Sequence, residues 1–288
     1  MTTTKNFINR HPVVAYYALM FAISWGGTLL IIGGPQAIPA TGEQIGRLMI
    51  PVMVPWLAAS SIAGILLTGL LHGRAGLREF GSQLLKWRVG VGWYALAILT
   101  APALMAAILL ALSLLSPDFL PRIYTTDDKQ FLLGFSFASA LFTAFFEELG
   151  VTGFAVPELR RRYGVLSAGL IAGFVWGVWR SLVVIWVGGV SGEVPAALFY
   201  PLTLFTWLPA FRVLMVWVYD RTGSLLIAIL MHTSLVTFWT MLTPLTILGE
   251  RLLVYYFVLA AAFWAVVAAL ALIDRRQLAR ENLRQRMA

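Results

Sequence analysis

The sequence predicts an all-α, polytopic transmembrane helix bundle of about eight spans, and three observations lead to this fold class. Only 12% of the residues are charged, about half of the roughly 25% that a soluble domain uses to cover its surface. Hydrophobic residues make up 60% of the chain, and the mean hydropathy is +0.83. Long apolar runs also recur along the whole chain. We therefore expect a single integral membrane domain over residues 1–288.

The predicted spans follow one another with short connections. A hydrocarbon core of roughly 30 Å takes about 20 helical residues, and apolar runs of that length lie at 13–34, 48–71, 91–115, 131–150, 165–188, 196–219, 224–245 and 252–273. The longest connection, 72–90, places apolar and basic residues at helical spacing, which predicts an amphipathic helix at the membrane surface. The basic tail, 274–288, predicts a helical extension, either on anionic headgroups or in solvent.

Lysine and arginine residues are divided unequally between the two sides of this bundle. One side carries 15 and the other carries four. Cytoplasmic loops carry the excess of positive charge, so the N- and C-termini are both predicted to be cytoplasmic. Orientation and contact with anionic lipid account for the net charge of +8. No soluble segment combines a basic stripe with interleaved aromatics, which argues against nucleic acid as a partner. The richer side holds Lys5, Arg10, Arg74, Arg78, Lys86, Arg88, Arg160, Arg161, Arg162, Arg221, Arg275, Arg276, Arg280, Arg284 and Arg286, and the poorer side holds Arg47, Arg122, Lys129 and Arg251.

Few ionisable residues fall inside the predicted spans, and each is a candidate functional residue because a charge in hydrocarbon is costly. They are Glu147, Glu148, Arg180, Arg212 and His232. Arg212 lies about a turn from the cytoplasmic end of its span, so we expect its side chain to snorkel to the interface in a structural role.

Two adjacent carboxylates, Glu147 and Glu148, end the fourth apolar run. Neighbouring residues of a helix point about 100° apart, so we expect one carboxylate in the bundle interior and the other bonded to nearby donors. A carboxylate inside the bundle is a candidate general base for activating water. The alternative is a structural pair at the end of a helix, bound to the arginines at 160–162.

Arg180 and His232 are the remaining polar candidates. Arg180 lies about 22 Å along the helix axis from the start of its span and one turn after Trp176. A guanidinium at that depth needs water or a carboxylate, so we predict contact with Glu147 or Glu148. His232 lies one to two turns into its span, where a lone histidine fits a hydrogen-bonded core residue as well as a catalytic one.

Three segments resemble the motifs of one family. The stretch EELGVTGF at 147–154, followed by Pro157 and by RRRYG at 160–164, resembles the first motif of the CPBP family. This is the family of CAAX prenyl protease and bacteriocin-processing intramembrane metalloproteases, also called Abi. The segment WGVWR at 176–180 is similar to the second motif, in which His follows an aromatic residue. The segment RTGSLL at 221–226, leading to His232, resembles the third, and the resemblance covers about 131–239.

The resemblance implies an intramembrane endopeptidase that cleaves a peptide or a prenylated, membrane-associated protein. Its cavity would face the cytoplasm from within the bilayer, in a bacterial plasma membrane. Glu147 would activate a water, with Glu148, Arg180 and His232 completing the catalytic set. His232 and Glu148 would be ligands of a divalent metal such as zinc, although a glutamate–histidine mechanism without a tightly held metal is the alternative.

The sequence departs from the family pattern at three positions. Thr152 stands where the first motif usually has Arg, and Val236 stands where Asn or Asp usually follows the last His. Arg180 stands where a His belongs, and a guanidinium has no lone pair for a metal and would repel a divalent ion. Two mechanisms follow. Either Arg180 stabilises the oxyanion while Glu147 acts as base, or Arg180 neutralises the glutamates.

In the second case, the chain is a catalytically impaired family member that acts as a membrane scaffold, a peptide-binding protein or an immunity-type protein. A transporter or channel would also carry intramembrane Glu, His and Arg. It would be expected to show matched halves with broken helices, and the sequence contains no matched pair of Gly- or Pro-interrupted spans.

Overall fold

The computed structural model describes residues 2–287, with side chains described for 6–273, and it is helical with no strand in that part of the chain. The α-helices are α1 (Thr2–Arg10), α2 (Pro12–Ile32), α3 (Gly42–Leu84), α4 (Val91–Ser113), α5 (Arg122–Thr125), α6 (Lys129–Gly150), α7 (Val156–Arg160), α8 (Val165–Val187), α9 (Ala196–Phe205), α10 (Leu208–Thr222), α11 (Leu225–Leu242) and α12 (Gly249–Met287). A π-helical turn, Val151–Ala155, joins α6 to α7. Side chains of the basic tail lie outside the described residues.

Eight segments of the described chain are long and apolar enough to cross a membrane, which confirms the predicted fold class. They are Pro12–Ile32, Gly42–Leu84, Val91–Ser113, Lys129–Arg160, Val165–Val187, Ala196–Thr222, Leu225–Leu242 and Gly249–Ile273. Of the connection 72–90, predicted to be an amphipathic helix, residues 72–84 form the second part of α3, which has a kink at Gly73, and residues 85–90 are not helical. The fourth span is longer than predicted because α6, the π-helical turn and α7 are continuous.

The sixth span is divided near its middle. α9 ends at Phe205, and α10 starts at Leu208 with Pro209 in its first turn. Proline suits the first turn of a helix, where its missing N–H has no intrahelical partner. Arg212 therefore lies in the first half of a new helix and well inside the bundle.

Close helix crossings draw five helices around one polar centre. A Cβ added to Gly150 would lie 2.0 Å from the backbone oxygen of Ser60, so α6 and α3 touch backbone to backbone. A Cβ added to Gly173 would lie 2.5 Å from the Cα of Pro209, so α8 and α10 are equally close. Small residues at such crossings are a common basis of helix packing in membranes. α11 packs against α6 and completes the group.

Candidate active site

The four residues predicted to form the site, Glu147, Glu148, Arg180 and His232, lie together between α6, α8 and α11. The predicted contact between Arg180 and a glutamate is confirmed, because its Nη1 lies 3.5 Å from Oε1 of Glu147. Three of the four side chains are fully buried, and Arg180 is 29% exposed. Arg180 is thus the member of this cluster through which the site meets its surroundings.

One carboxylate oxygen of Glu147 accepts a hydrogen bond, and the other has no hydrogen-bond donor in the described part of the chain. The indole Nε1 of Trp176 donates to its Oε2 at 3.0 Å, and Nε2 of His232 lies 3.9 Å from the same oxygen. Oε1 has the Arg180 contact but no hydrogen-bond partner among the described residues. On the backbone, the Ser60 hydroxyl donates to the carbonyl of Glu147 at 2.7 Å. The side chain is therefore fixed in place with one acceptor still available.

Glu148 is fully engaged by donors. Nη1 of Arg212 donates to Oε1 at 3.0 Å and to Oε2 at 2.8 Å. The hydroxyl of Thr152, one turn later in the π-helical segment, donates to Oε2. Nδ1 of His232 lies 2.7 Å from Oε1. As predicted, the two adjacent carboxylates take different principal partners, and both are fully buried.

His232 joins the two carboxylates through its two ring nitrogens. A carboxylate bound to a guanidinium is an acceptor, so Nδ1 donates to Glu148. In the neutral ring, Nε2 then carries the lone pair, and it has no hydrogen-bond partner among the described residues. This nitrogen lies 3.9 Å from Oε2 of Glu147, the oxygen that also accepts from Trp176.

The prediction that Arg212 snorkels to the interface is wrong. Its side chain is fully buried and forms the ion pair with Glu148 at 2.8 Å. The prediction assumed one continuous helix over 196–219, whereas the break before Leu208 and the close approach of α8 at Gly173 place Arg212 beside the carboxylate.

Trp176 is a platform for both guanidiniums. The Cζ atom of Arg212 lies 4.3 Å from the centre of the indole ring, and that of Arg180 lies 5.6 Å from it. His232 meets the same ring edge-on, with centroids 5.1 Å apart. Cation–π attraction is strongest on tryptophan and in desolvated surroundings, so this one ring orients three of the charged or titratable groups.

The alternative pairing of the glutamates with the arginines at 160–162 is also wrong. Nε of Arg160 donates to Asp220 at 2.7 Å, and Arg161 pairs with Glu158 at 3.3 Å. Nη2 of Arg162 donates to the backbone oxygen of Arg10. These residues connect α7 to its neighbours at the edge of the bundle, away from Glu147 and Glu148.

The donor set does not fit a resident divalent metal. A catalytic zinc takes three protein ligands, and here both oxygens of Glu148 and Nδ1 of His232 are already bound to each other or to Arg212. Nε2 of His232 and Oε1 of Glu147 are the remaining acceptors of the cluster, and two permanently charged guanidiniums adjoin them. No group of three or more His, Asp or Glu suited to a metal occurs among the described residues.

Sequence reasoning missed two contributors to the site. Ser60, on α3, fixes the backbone at Glu147 from a helix outside the matched motifs, and no local pattern points to it. Arg212 had a usable signal, because Pro209 three residues earlier marks the start of a new helix in the middle of an apolar run. Val236, on the next turn of α11 after His232, is half-buried and brings no polar side-chain atom.

Two comparisons match this chain to known proteins. Residues 129–238 match the profile of a family described as type II CAAX prenyl endopeptidase, Rce1-like. Over 194 residues the chain is 26% identical to CAAX prenyl protease 2 of Methanococcus maripaludis, an alignment that covers 63% of this chain and 68% of that protein. The matched region contains Glu147, Glu148, Arg180, Arg212 and His232.

Proposed function

We propose, from the premise that this chain belongs to the CAAX protease family through residues 129–238, that it is an intramembrane endopeptidase with Glu147 as its general base. The observation that carries the proposal is the geometry of that carboxylate. Glu147 is fully buried, is oriented by the indole N–H of Trp176, and keeps one oxygen without a hydrogen-bond partner beside Arg180 and His232.

The first step is activation of water. A water bound to Oε1 of Glu147 would give up its proton to that carboxylate as its oxygen attacks the carbonyl carbon of the scissile peptide bond. A positioned general base contributes roughly 10²–10⁴ to a rate. The C–N bond then breaks as the nitrogen takes a proton from the Glu147 carboxylic acid, so the base is restored and no external reagent is consumed.

Arg180 supplies positive charge for the tetrahedral intermediate. Its Nη1 lies 3.5 Å from Oε1 of Glu147, which is an ion-pair distance outside hydrogen-bond geometry, and the side chain is partly exposed. A guanidinium held this loosely can turn toward an oxyanion that forms beside Glu147. Loss of one oxyanion donor costs roughly 10²–10³ in kcat, so Arg180 takes the electrophilic role that a metal or a second histidine would otherwise fill.

His232 assists from the other side of the same space. Its Nδ1–H is anchored on Glu148, and the lone pair of Nε2 lies 3.9 Å from Oε2 of Glu147. That nitrogen orients the attacking water as a hydrogen-bond acceptor. Zinc ligation by His232 and Glu148 remains a prediction. The proposed mechanism does not use it, because Arg212 occupies both oxygens of Glu148.

The substrate class follows from the surroundings of the site. The reacting groups lie on membrane-spanning helices, so the peptide must reach them from within or beside the bilayer. A prenylated or otherwise membrane-associated protein has the hydrophobic anchor that this requires. The excess of basic residues on the side of the chain termini supports a site open to the cytoplasm of a bacterial plasma membrane.

A second candidate function rests on the Arg180–Glu147 ion pair. If this pair persists when substrate is bound, the base is neutralised and the protein binds peptides or lipid-modified partners without cleaving them. The loose 3.5 Å geometry and the open oxygen of Glu147 favour the enzyme. The scaffold remains the alternative outcome of the assay below.

The test is cleavage of a fluorescent farnesylated peptide by the purified protein in liposomes, with products identified by mass spectrometry. The native chain is expected to cleave one peptide bond. Glu147→Gln keeps the side-chain shape but cannot accept the proton, and it is expected to lower kcat by roughly 10³. His232→Ala is expected to lower kcat as well, by a smaller factor.

Glu250→Gln is the matched control, because Glu250 is an exposed carboxylate in the first turn of α12, a helix that carries none of the site residues. It is expected to retain native kcat. Equal rates for native protein and Glu147→Gln would remove Glu147 from the mechanism. Tight peptide binding without any product would establish the scaffold instead.

A further inference from the structure

Arg212 is a buried cation whose placement the proposed reaction does not by itself explain. The side chain is 0% exposed, and its charge is compensated by Glu148 at 2.8 Å. A guanidinium taken out of water without a carboxylate partner would be strongly unfavourable. Burial of the Arg212 guanidinium therefore depends on Glu148, and burial of the Glu148 carboxylate depends on Arg212.

The fold delivers Arg212 to this carboxylate by two local devices. α10 starts at Leu208, so Arg212 occupies the second turn of a helix that begins near the middle of the sixth span. Gly173 of α8 faces it, and a Cβ at that glycine would lie 3.1 Å from the Cβ of Arg212. The missing side chain at 173 lets α10 approach α8 closely at Pro209 and Arg212.

A cation for Glu148 could also come from a position closer in sequence than Arg212. Residues four apart on a helix are neighbours, and this is the usual spacing for a pair between Glu and Arg. The residue four after Glu148 is Thr152, which donates a hydroxyl hydrogen bond to Oε2 but brings no charge. The positive charge comes instead from α10, 64 residues away in sequence.

The ion pair has a consequence for His232. Because Arg212 donates to both oxygens of Glu148, this carboxylate acts as an acceptor, and Nδ1–H of His232 donates to its Oε1 at 2.7 Å. The histidine is thereby held in the tautomer that leaves the lone pair on Nε2, the nitrogen 3.9 Å from Oε2 of Glu147. Without the guanidinium, Glu148 could itself act as the donor to Nδ1, so the tautomer of His232 would no longer be fixed.

We propose that Arg212 is a positioning residue, which acts through Glu148 to fix the tautomer of His232. Its positive charge, supplied from α10, replaces the charge that a cation at position 152 would supply to Glu148 from the same helical segment. The role of Arg212 in catalysis rests on the proposed function. The exchange of one source of positive charge for another beside Glu148 does not depend on the proposed function.

The test moves the positive charge from position 212 to position 152. Four proteins are compared: the native chain, Arg212→Leu, Thr152→Arg, and the double variant Thr152→Arg/Arg212→Leu. Selective ¹⁵N labelling of the three histidines, with His11→Gln and His72→Gln for assignment, reports which ring nitrogen of His232 carries the proton. This spectroscopic readout is independent of peptidase activity, so it decides the proposal even if the chain proves to be a scaffold.

Native protein is expected to show the Nδ1–H tautomer. Arg212→Leu is expected to lose that signature and, if the protein is an enzyme, to lower kcat by roughly tenfold or more with little change in KM, as when a carboxylate that orients a histidine is disabled. The double variant is expected to restore both the tautomer and kcat.

An unchanged Nδ1–H signature in Arg212→Leu would overturn the proposal, and so would a double variant that behaves like the single one. If Arg212→Leu fails to accumulate, recovery of folded protein in the double variant supports the proposal. Failure of the double variant to fold, while Thr152→Arg folds normally, overturns it.

Discussion

At the scale of single residues, the site is a balance of buried charges arranged around one tryptophan. Glu147 and Glu148 meet Arg180 and Arg212, and each carboxylate has its own guanidinium. The two pairs differ in kind: the Glu148 pair is buried and hydrogen-bonded, whereas the Glu147 pair is loose and partly exposed. A rigid pair suits a positioning role, and a loose pair suits a group that must exchange partners during a reaction.

The hydrogen bond from Trp176 to Glu147 gives a residue-scale prediction. Trp176→Phe retains an aromatic ring beneath both guanidiniums but removes the N–H donor. A hydrogen bond to a charged group contributes about 1.5–3 kcal/mol, so we expect the free energy of unfolding to fall by about that amount. The Glu147 carboxylate is then no longer oriented by the indole N–H, and kcat is expected to fall as well. Thermal unfolding in detergent and the peptide assay measure the two effects.

Trp264→Phe is the control for this prediction, since its Nε1 donates to the neutral backbone oxygen of Thr206 at a distance from the site. Loss of that bond is expected to lower stability by only about 0.5–1.5 kcal/mol and to leave kcat unchanged. If both variants lose stability equally and neither changes kcat, Trp176 is a packing residue and does not position Glu147.

At the scale of elements, helix crossings determine where the carboxylates lie. The contact between Gly150 and Ser60 sets α6 against α3 just beyond Glu147 and Glu148. Gly150→Ala is predicted to destabilise the fold by about 1–3 kcal/mol or more, because its Cβ would overlap the backbone oxygen of Ser60. The measurement is the unfolding midpoint in detergent.

Gly134→Ala is the matched control, on the same helix α6, with no atom within 4 Å of the added Cβ. Alanine has a better helix propensity than glycine by about 1 kcal/mol, so this variant is expected to be neutral or stabilised. Comparable destabilisation of both variants would contradict the backbone crossing at Gly150.

Hydropathy predicted the helices of this protein well, because every span must supply about 20 apolar residues whatever its neighbours are. The meeting of Arg180 with Glu147 was also predictable, since few intramembrane charges can satisfy each other. The place of Arg212 was not, because it depends on where one helix stops and another starts inside an apolar run, and on the close approach of α8 at Gly173. The contact of Ser60 with Glu147 depends on tertiary packing alone.

At the scale of the whole molecule, the charge distribution predicts the orientation in the membrane. The chain contains no cysteine, so single cysteines can be introduced and labelled with a membrane-impermeant maleimide in intact cells. Thr125→Cys, after the third span, is expected to react from outside. Arg161→Cys, beside α7, is expected to react only after the cells are opened. The opposite pattern would place both the basic loops and the site on the outer side.

The central claim is that this chain hydrolyses a peptide bond with arginine, not histidine, at position 180. The most direct measurement compares native protein with Arg180→His in the farnesylated-peptide assay, run in ¹⁸O-labelled water, with Arg47→His as a control at an exposed position in α3. Native protein and the control are expected to cleave at the same rate, with one ¹⁸O atom in the new carboxylate. Cleavage that appears only in Arg180→His would contradict the role of Arg180 in hydrolysis and would mark the native chain as a protease fold without the activity.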